Sequence, residues 1–344
     1  MHRHLVLVAA TLALAAPLPL RAQTQTDRDR ERVEREREKA QDARDREREK
    51  AEEQRERDEE KRDRERERER AASLDTVVTF DAHGVVSVSC PGGAVVVTTG
   101  ERNEIRVRAR TENGGIRFNS TGTRATLEPT AGRGCSDGRF EVVVPVGSKV
   151  TANTWSGSIS VRGVAGDVDA HAQSGDIDVR DAGARLDVEA FSGDVTILNV
   201  KGDASINTLS GSVTLTGARG DLEIETVSGD LELRDIAAKQ VRTHSTSGDI
   251  TFAGQVFDAG RYEFNTHSGE VRLILPEAVG AQLSVSTFSG GIESDFPITL
   301  RAGEHGIGAA QAKRLNFTLG QGNARIIAET FSGDITLSST GRRR

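Results

Sequence analysis

Residues 174–227 consist of three consecutive segments of equal length, SGDIDVRDAGARLDVEAF, SGDVTILNVKGDASINTL and SGSVTLTGARGDLEIETV. Each segment begins with Ser-Gly, so this dipeptide recurs every 18 residues. The same spacing runs from Ser156-Gly157 to Ser228-Gly229 and continues less evenly as far as Ser332-Gly333. A fixed period of this length is typical of repeat proteins, in which equivalent units stack on one another.

Within each repeat, apolar and polar residues alternate after the glycine, as in Gly193-Asp194-Val195-Thr196-Ile197. Such alternation is typical of a short strand with one buried face. Equivalent positions of successive repeats are apolar together, and one such column is Ile159, Ile177, Val195, Val213, Leu231 and Ile250. Two strands and two turns per repeat predict an all-β fold, a parallel β-solenoid (β-helix) of 18-residue coils over residues 149–340.

Residues 73–148 also contain alternating stretches, but they lack the 18-residue period. An open end of a stack of strands exposes unpaired backbone groups and invites association. We therefore expect residues 73–148 to form an N-terminal β cap on the solenoid.

A highly charged segment precedes the β-rich part. Residues 27–70 contain 18 Lys and Arg and 20 Asp and Glu, so they have almost nothing to bury. Glu and Arg are good helix formers, and no apolar seam for a coiled coil is present. The sequence predicts a spacer over residues 23–72, which is either a single charged helix or a disordered tether. In the predicted fold we assign this spacer as the helix.

The first 22 residues have the pattern of a secretory signal peptide. A short basic start at His2, Arg3 and His4 is followed by an apolar stretch over residues 5–16. We expect export to the periplasm, the outer surface or the medium, with no transmembrane segment after cleavage, because no later apolar run is long enough. An oxidising compartment permits a disulfide between Cys90 and Cys135; the alternative is two buried free thiols.

Composition excludes other classes. The net charge of -7 argues against a nucleic-acid-binding protein, and seven scattered histidines with two cysteines predict no cofactor and no zinc cluster. Weak calcium candidates are the aspartates that follow turn glycines, namely Asp176, Asp194, Asp230 and Asp249. The alternative is that each aspartate accepts backbone N–H groups within its own turn, because such turns supply few of the oxygens that calcium requires.

A further column consists of the residues that precede Ser-Gly. Its members are Trp155, Gln173, Phe191, Leu209, Val227, Thr246, His267, Phe288 and Phe331. If it is exposed, its aromatic members Trp155, Phe191, Phe288 and Phe331 form a ladder for binding glycans or a partner. If it faces inward, it fills a corner of the core.

The string Thr-x-Ser-Gly-Asp-[Ile/Val/Leu] carries a family resemblance. It stands as Thr226-Val227-Ser228-Gly229-Asp230-Leu231 and as Thr330-Phe331-Ser332-Gly333-Asp334-Ile335. Residues 75–340 resemble the bacterial putative adhesin family, also called domain of unknown function 4097. The resemblance implies an extracytoplasmic, adhesive β-solenoid, with some relatives linked to envelope-stress systems and with no catalytic residues to transfer.

These observations predict a non-enzymatic extracytoplasmic protein, an adhesin that binds a cell-surface glycan or another envelope component. One alternative is a scaffold of the envelope that self-associates by stacking solenoid ends. A less favoured alternative is a β-helix enzyme acting on polysaccharides. Acidic pairs such as Asp176 with Asp178 are too common here to identify a glycosidase site, and only the insertion at 296–325 adds basic residues beside the repeat.

Overall fold

The computed structural model describes residues 20–70, 72–112, 114–130, 135, 137–297 and 313–340. The chain divides into two compact units, which separate after Arg66. The signal-peptide prediction falls almost entirely on residues 1–19, which lie outside the described residues, and it stays a prediction.

The charged segment is one helix, α1 (Leu20–Arg70), of 51 residues, about 76 Å long at 1.5 Å per residue. Every side chain described in it is exposed. Opposite charges meet one turn apart, as between Arg57 and Glu53 at 3.8 Å. The predicted charged helix is confirmed. Among the described residues, no helix is long and apolar enough to cross a membrane.

The second unit is built of strands. The N-terminal strands are β1 (Ala72–Thr79), β2 (Val85–Ser89), β3 (Ala94–Gly100), β4 (Glu104–Thr111), β5 (Ile116–Ser120), β6 (Arg124–Pro129) and β7 (Arg139–Pro145). The regular repeats contribute β8 (Lys149–Ser156), β9 (Ile159–Arg162), β10 (Val168–Ser174), β11 (Ile177–Ala182), β12 (Leu186–Ser192), β13 (Val195–Val200), β14 (Ala204–Ser210), β15 (Val213–Ala218), β16 (Leu222–Ser228), β17 (Leu231–Ile236), β18 (Gln240–Ser247), β19 (Ile250–Gly254), β20 (Arg261–Ser268) and β21 (Val271–Leu275). The C-terminal strands are β22 (Ala281–Ser289), β23 (Ile292–Ser294), β24 (Lys313–Leu319), β25 (Ala324–Ser332) and β26 (Ile335–Ser339).

The described strands form two sheets of 13 strands each. Sheet A has the order β1-β4-β7-β3-β9-β11-β13-β15-β17-β19-β21-β26-β23. Sheet B has the order β24-β22-β25-β20-β18-β16-β14-β12-β10-β8-β2-β6-β5. Each coil of the solenoid therefore supplies one strand to each sheet.

Successive coils pair in parallel and in register at the predicted spacing. Val168 pairs with Leu186 and Leu186 with Ala204 in sheet B, while Ile177 pairs with Val195 in sheet A. The apolar columns point between the sheets and are buried in one continuous core. The prediction of a parallel β-solenoid of 18-residue coils is confirmed.

The Ser-Gly turn requires glycine for two reasons, which Gly193 illustrates. Its φ of 124° lies in a region that L side chains rarely adopt. A Cβ at Gly193 would also collide with the carbonyl oxygen of Gly175 in the preceding coil. The two coils can therefore approach to sheet distance at this corner only if residue 193 lacks a side chain.

The N-terminal strands contain two further coils that the sequence period does not reveal. Strands β2 and β3 pair in parallel with β8 and β9, and β6 and β7 pair in parallel with β2 and β3 on the other side. The turn glycines continue without a break, because a Cβ on Gly157 would meet Gly93 and a Cβ on Gly93 would meet Gly138. The antiparallel strands β1, β4 and β5 cover this end of the stack.

The C-terminal coil is inserted into the stack rather than added to its end. Strand β25 lies between β20 and β22, and β26 lies between β21 and β23. Tyr262, Ile326 and Leu283 are therefore neighbours across three coils. Strand β24 pairs antiparallel with β22 and forms the outer edge of sheet B.

Candidate functional site

The aspartates that follow the turn glycines join one coil to the next. Oδ1 of Asp176 accepts the backbone N–H of Asp194 at 3.0 Å, and Oδ1 of Asp194 accepts that of Ser212 at 2.9 Å. Asp230 and Asp249 make the same bond to the following coil. The alternative that each aspartate accepts an N–H group of its own turn is wrong. Its carboxylate oxygen accepts an N–H group of the next coil, because parallel stacking brings equivalent turns within hydrogen-bond distance.

This bonding occupies one oxygen of each calcium candidate. Across the described residues, no group of three or more His, Cys, Asp or Glu side chains is arranged to hold a metal ion. The four aspartates form a series of hydrogen bonds between coils.

The acidic pair Asp176 and Asp178 has separate partners. Asp178 accepts two hydrogen bonds from Arg180, at 2.8 and 2.9 Å. The hydrogen bond and the negative charge of Asp178 raise the pKa of Arg180. In the insertion, Lys313 Nζ donates to the carbonyl of Gly290 at 2.7 Å, and residues 298–312 lie outside the described residues.

Cys90 and Cys135 are joined by a disulfide in the structure, with their Cα atoms 5.6 Å apart. Cys90 lies in the turn between β2 and β3, and Cys135 lies in the connection between β6 and β7. Both sulfur atoms pack beside Gly138. The disulfide thus links two adjacent coils whose order in the stack is opposite to their order in the chain.

The column that precedes Ser-Gly lies on the outside of the solenoid. Trp155 is 67% exposed, Phe191 52%, Phe288 53% and Phe331 49%. The alternative that this column fills a core corner is therefore wrong. In stacking order its members are Trp155, Gln173, Phe191, Leu209, Val227, Thr246, His267, Phe331 and Phe288, and we call this row the ladder.

The inserted C-terminal coil completes the aromatic part of the ladder. Phe331 lies between His267 and Phe288, although it follows both in the chain. Its ring stacks on His267 with centroids 4.9 Å apart and on Phe288 with centroids 4.7 Å apart. Three rings from three coils therefore form one continuous exposed stack.

Buried threonines hold the backbone that carries the ladder. The hydroxyl of Thr154 donates to the carbonyl of Cys90 at 2.9 Å, and that of Thr287 donates to Gly333 at 2.9 Å. Thr330 bonds Gly269 in the same way at 3.1 Å. Each of these threonines is buried and directly precedes a ladder residue, so the turn below each exposed side chain is fixed by a hydrogen bond from a buried residue.

A shallow groove of about 570 Å³ runs beside the ladder along sheet B. One wall is formed by Trp155, Phe191, Leu209 and Val227. The other wall is the next outward column of the strands, which consists of Asn153, His171, Glu189, Asn207, Glu225 and His244. His171 Nδ1 lies 3.0 Å from Glu189 Oε2. We call this feature the groove.

Comparison with known families identifies the fold. The family model described as Toastrack, domain of unknown function 4097, matches residues 92–338.

The chain belongs to the Toastrack family.

The resemblance inferred from the sequence is thereby confirmed. A comparison with curated proteins found no match.

Solved structures similar to this Toastrack chain share little sequence with it. One, called a putative lipid binding protein, from Parabacteroides distasonis, is 8% identical with a TM-score of 0.42, covering 77% of this chain and 96% of its own. A putative adhesin from the same species is 8% identical with a TM-score of 0.34, covering 78% and 97%. A putative adhesin from Bacteroides fragilis is 9% identical with a TM-score of 0.30, covering 77% and 96%. These names describe those proteins.

The exposure of the ladder follows from alternation in the Toastrack repeats. Ala172, Ala190, Thr208 and Thr226, each of which directly precedes a ladder residue, are buried. Because side chains of a strand alternate between faces, the next residue in each strand must point outward. The same rule places the second wall of the groove on this face, because residues two apart in a strand point to the same side.

Proposed function

We propose that this Toastrack protein is a non-enzymatic binding protein that acts outside the cytoplasm and attaches to an envelope or cell-surface component through the ladder. The observation that carries the proposal is the exposure of the ladder's large apolar side chains in one row. Contiguous exposed apolar surface in a protein usually marks an interaction site.

Rigidity supports a binding role. Every ladder residue except Phe288 belongs to a coil that is hydrogen-bonded in register to a coil on each side, and several are held from beneath by buried threonines. A contact surface that is already ordered loses little conformational entropy when it binds.

The assignment as a non-enzyme is supported by the state of the acidic residues considered for catalysis. Asp176 is bonded to the next coil, and Asp178 is bonded to Arg180. The proposed location outside the cytoplasm is supported by the signal-peptide pattern of residues 1–22 and by the disulfide, which forms readily in oxidising compartments.

The test compares saturable binding of the mature chain, from residue 23, to bacterial envelope fractions. A ladder variant carries Trp155→Ser, Phe191→Ser, Phe288→Ser and Phe331→Ser, and a control carries Thr196→Ala and Thr214→Ala on sheet A. We expect the ladder variant to lose at least about tenfold in affinity while the control binds normally. Equal binding by both variants, with equal thermal stability, would overturn the proposal.

The alternative of a scaffold that self-associates by stacking solenoid ends has less support, because antiparallel strands lie at the ends of the stack. Antiparallel strands β1, β4 and β5 close one end, and antiparallel β24 edges sheet B at the other. A parallel coil of a second molecule cannot continue the 18-residue register across such an edge. Continued parallel stacking is therefore disfavoured at the amino end of the stack and at the β24 edge of sheet B, whereas the other described edge of sheet A is the short strand β23.

A further inference from the structure

We propose that the groove binds an uncharged, β-linked linear polysaccharide that lies along the stacking axis of the solenoid. This inference rests on the proposed function of the ladder and names the ligand class for one part of it. The part concerned extends from Trp155 to His244, over six coils of sheet B.

The two walls of the groove match the two kinds of surface on a sugar ring. The wall of Trp155, Phe191, Leu209 and Val227 offers apolar faces on which a pyranose ring can stack. The opposite wall offers amide, imidazole and carboxylate groups, which donate to or accept from hydroxyl groups. Protein sites for small ligands commonly combine apolar walls with a few polar groups of this kind.

The spacing of the aromatic side chains favours an extended chain. Trp155 and Phe191 occupy equivalent positions two coils apart, which is about 9.6 Å at the usual strand separation. This distance is close to the repeat of an extended β-linked disaccharide, in which every second sugar presents the same face. Gln173 lies between them and can bond the intervening sugar.

The charge of the groove selects against anionic ligands. Within the described chain, the residues that line it include Glu189 and Glu225 but no Lys or Arg. A phosphate-rich or uronic polysaccharide would bring negative charge to these carboxylates without a fixed cation to bind it. An acyl chain is also a poor fit, because it would cover Asn153, Asn207 and Glu225 without satisfying their hydrogen bonds.

The test is calorimetric titration of the mature chain with β-1,4-linked glucose and N-acetylglucosamine oligomers, from disaccharide to hexasaccharide. Six coils span about 24 Å, so affinity should rise with length and level off near the longest oligomers. Trp155→Ala and Phe191→Ala should each weaken binding about three- to tenfold, the range expected for one lost stacking contact. Thr214→Ala on sheet A is the matched control and should leave the affinity unchanged.

Three results would overturn the inference. One is the absence of oligomer binding in a chain that still binds envelope fractions through the ladder, and this result would leave the proposed function intact. Another is oligomer binding that Trp155→Ala and Phe191→Ala do not change. The third is ladder-dependent binding to polygalacturonate or to phosphatidylcholine vesicles in preference to the neutral oligomers. Absence of envelope binding altogether would instead contradict the proposed function.

Discussion

Single residues at the Ser-Gly turn determine how closely two coils can approach. Gly193 lies against Gly175 without room for a Cβ, and the next residue, Asp194, bonds the backbone of Ser212. The repeated Gly-Asp pair thus has two structural tasks, close approach and attachment, and neither requires a metal ion.

Asp194→Ala should lower the free energy of unfolding by about 0.5–1.5 kcal/mol, because it removes one hydrogen bond between coils. Asp194→Asn keeps an oxygen acceptor and should cost less. Urea denaturation of both variants measures the difference, with Thr196→Ala as a control on the neighbouring strand. If calcium raises the melting temperature of the parent chain and Asp194→Asn abolishes that effect, the column is a metal site instead.

Gly193→Ala should destabilise the protein more than Gly122→Ala. Both glycines have positive φ, 124° and 83°, so both substitutions carry backbone strain of about 1–3 kcal/mol. At Gly122 a Cβ meets no atom within 4 Å, whereas at Gly193 it meets the backbone of Gly175. If urea denaturation shows the same loss of unfolding free energy in both variants, close contact between the coils is not the reason why position 193 needs glycine.

Residue identity and alternation were enough to predict the coil and its buried columns, but they left open whether the column of Trp155 and Phe191 is exposed or fills a corner of the core. They did not predict the partner of Asp176 in the next coil. That bond depends on the distance between coils, which no property of a single repeat specifies.

At the level of whole elements, chain order and stacking order differ at both ends of the solenoid. Strands β6 and β7 lie outside β2 and β3, and β25 and β26 lie inside β22 and β23. The sequence could not predict this, because the coils at both ends present similar apolar columns and a turn glycine to any neighbour. The position of Phe331 between His267 and Phe288 follows only from the insertion.

Reduction of the disulfide, or Cys90→Ser with Cys135→Ser, should lower stability by about 3–4 kcal/mol, as the loop of 45 residues leads one to expect. Urea denaturation with and without reductant measures the loss. Peptide mapping of the unreduced protein provides the independent check on pairing. Free thiols at both positions in protein from an oxidising compartment would contradict the link between the two coils.

Truncation after Gln321 removes the inserted coil and should cause concentration-dependent association. It leaves β20 and β21 with unpaired edges, which a second molecule can cover. Sedimentation velocity over a range of concentrations measures this, and a chain ending at Thr340 is the matched control. A truncated chain that stays monomeric with unchanged melting temperature would mean that β22 and β23 close directly onto β20 and β21.

At the scale of the whole β unit, the turn glycines trace 11 stacked coils, in the order Gly138, Gly93, Gly157, Gly175, Gly193, Gly211, Gly229, Gly248, Gly269, Gly333 and Gly290. At about 4.8 Å per coil the stack is about 48 Å long. The ladder follows nine of these coils on one edge, so the fold converts a short repeated motif into a long, ordered surface.

The most direct test of the ladder as a binding surface is the fluorescence of Trp155, the single tryptophan of the chain. Because this side chain is 67% exposed, the free protein should emit as a solvated indole and be quenched readily by acrylamide. Saturating envelope material or neutral oligosaccharide should shift the emission to shorter wavelength and protect it from quenching. Unchanged emission and quenching, while sedimentation shows that the protein has bound, would contradict the account.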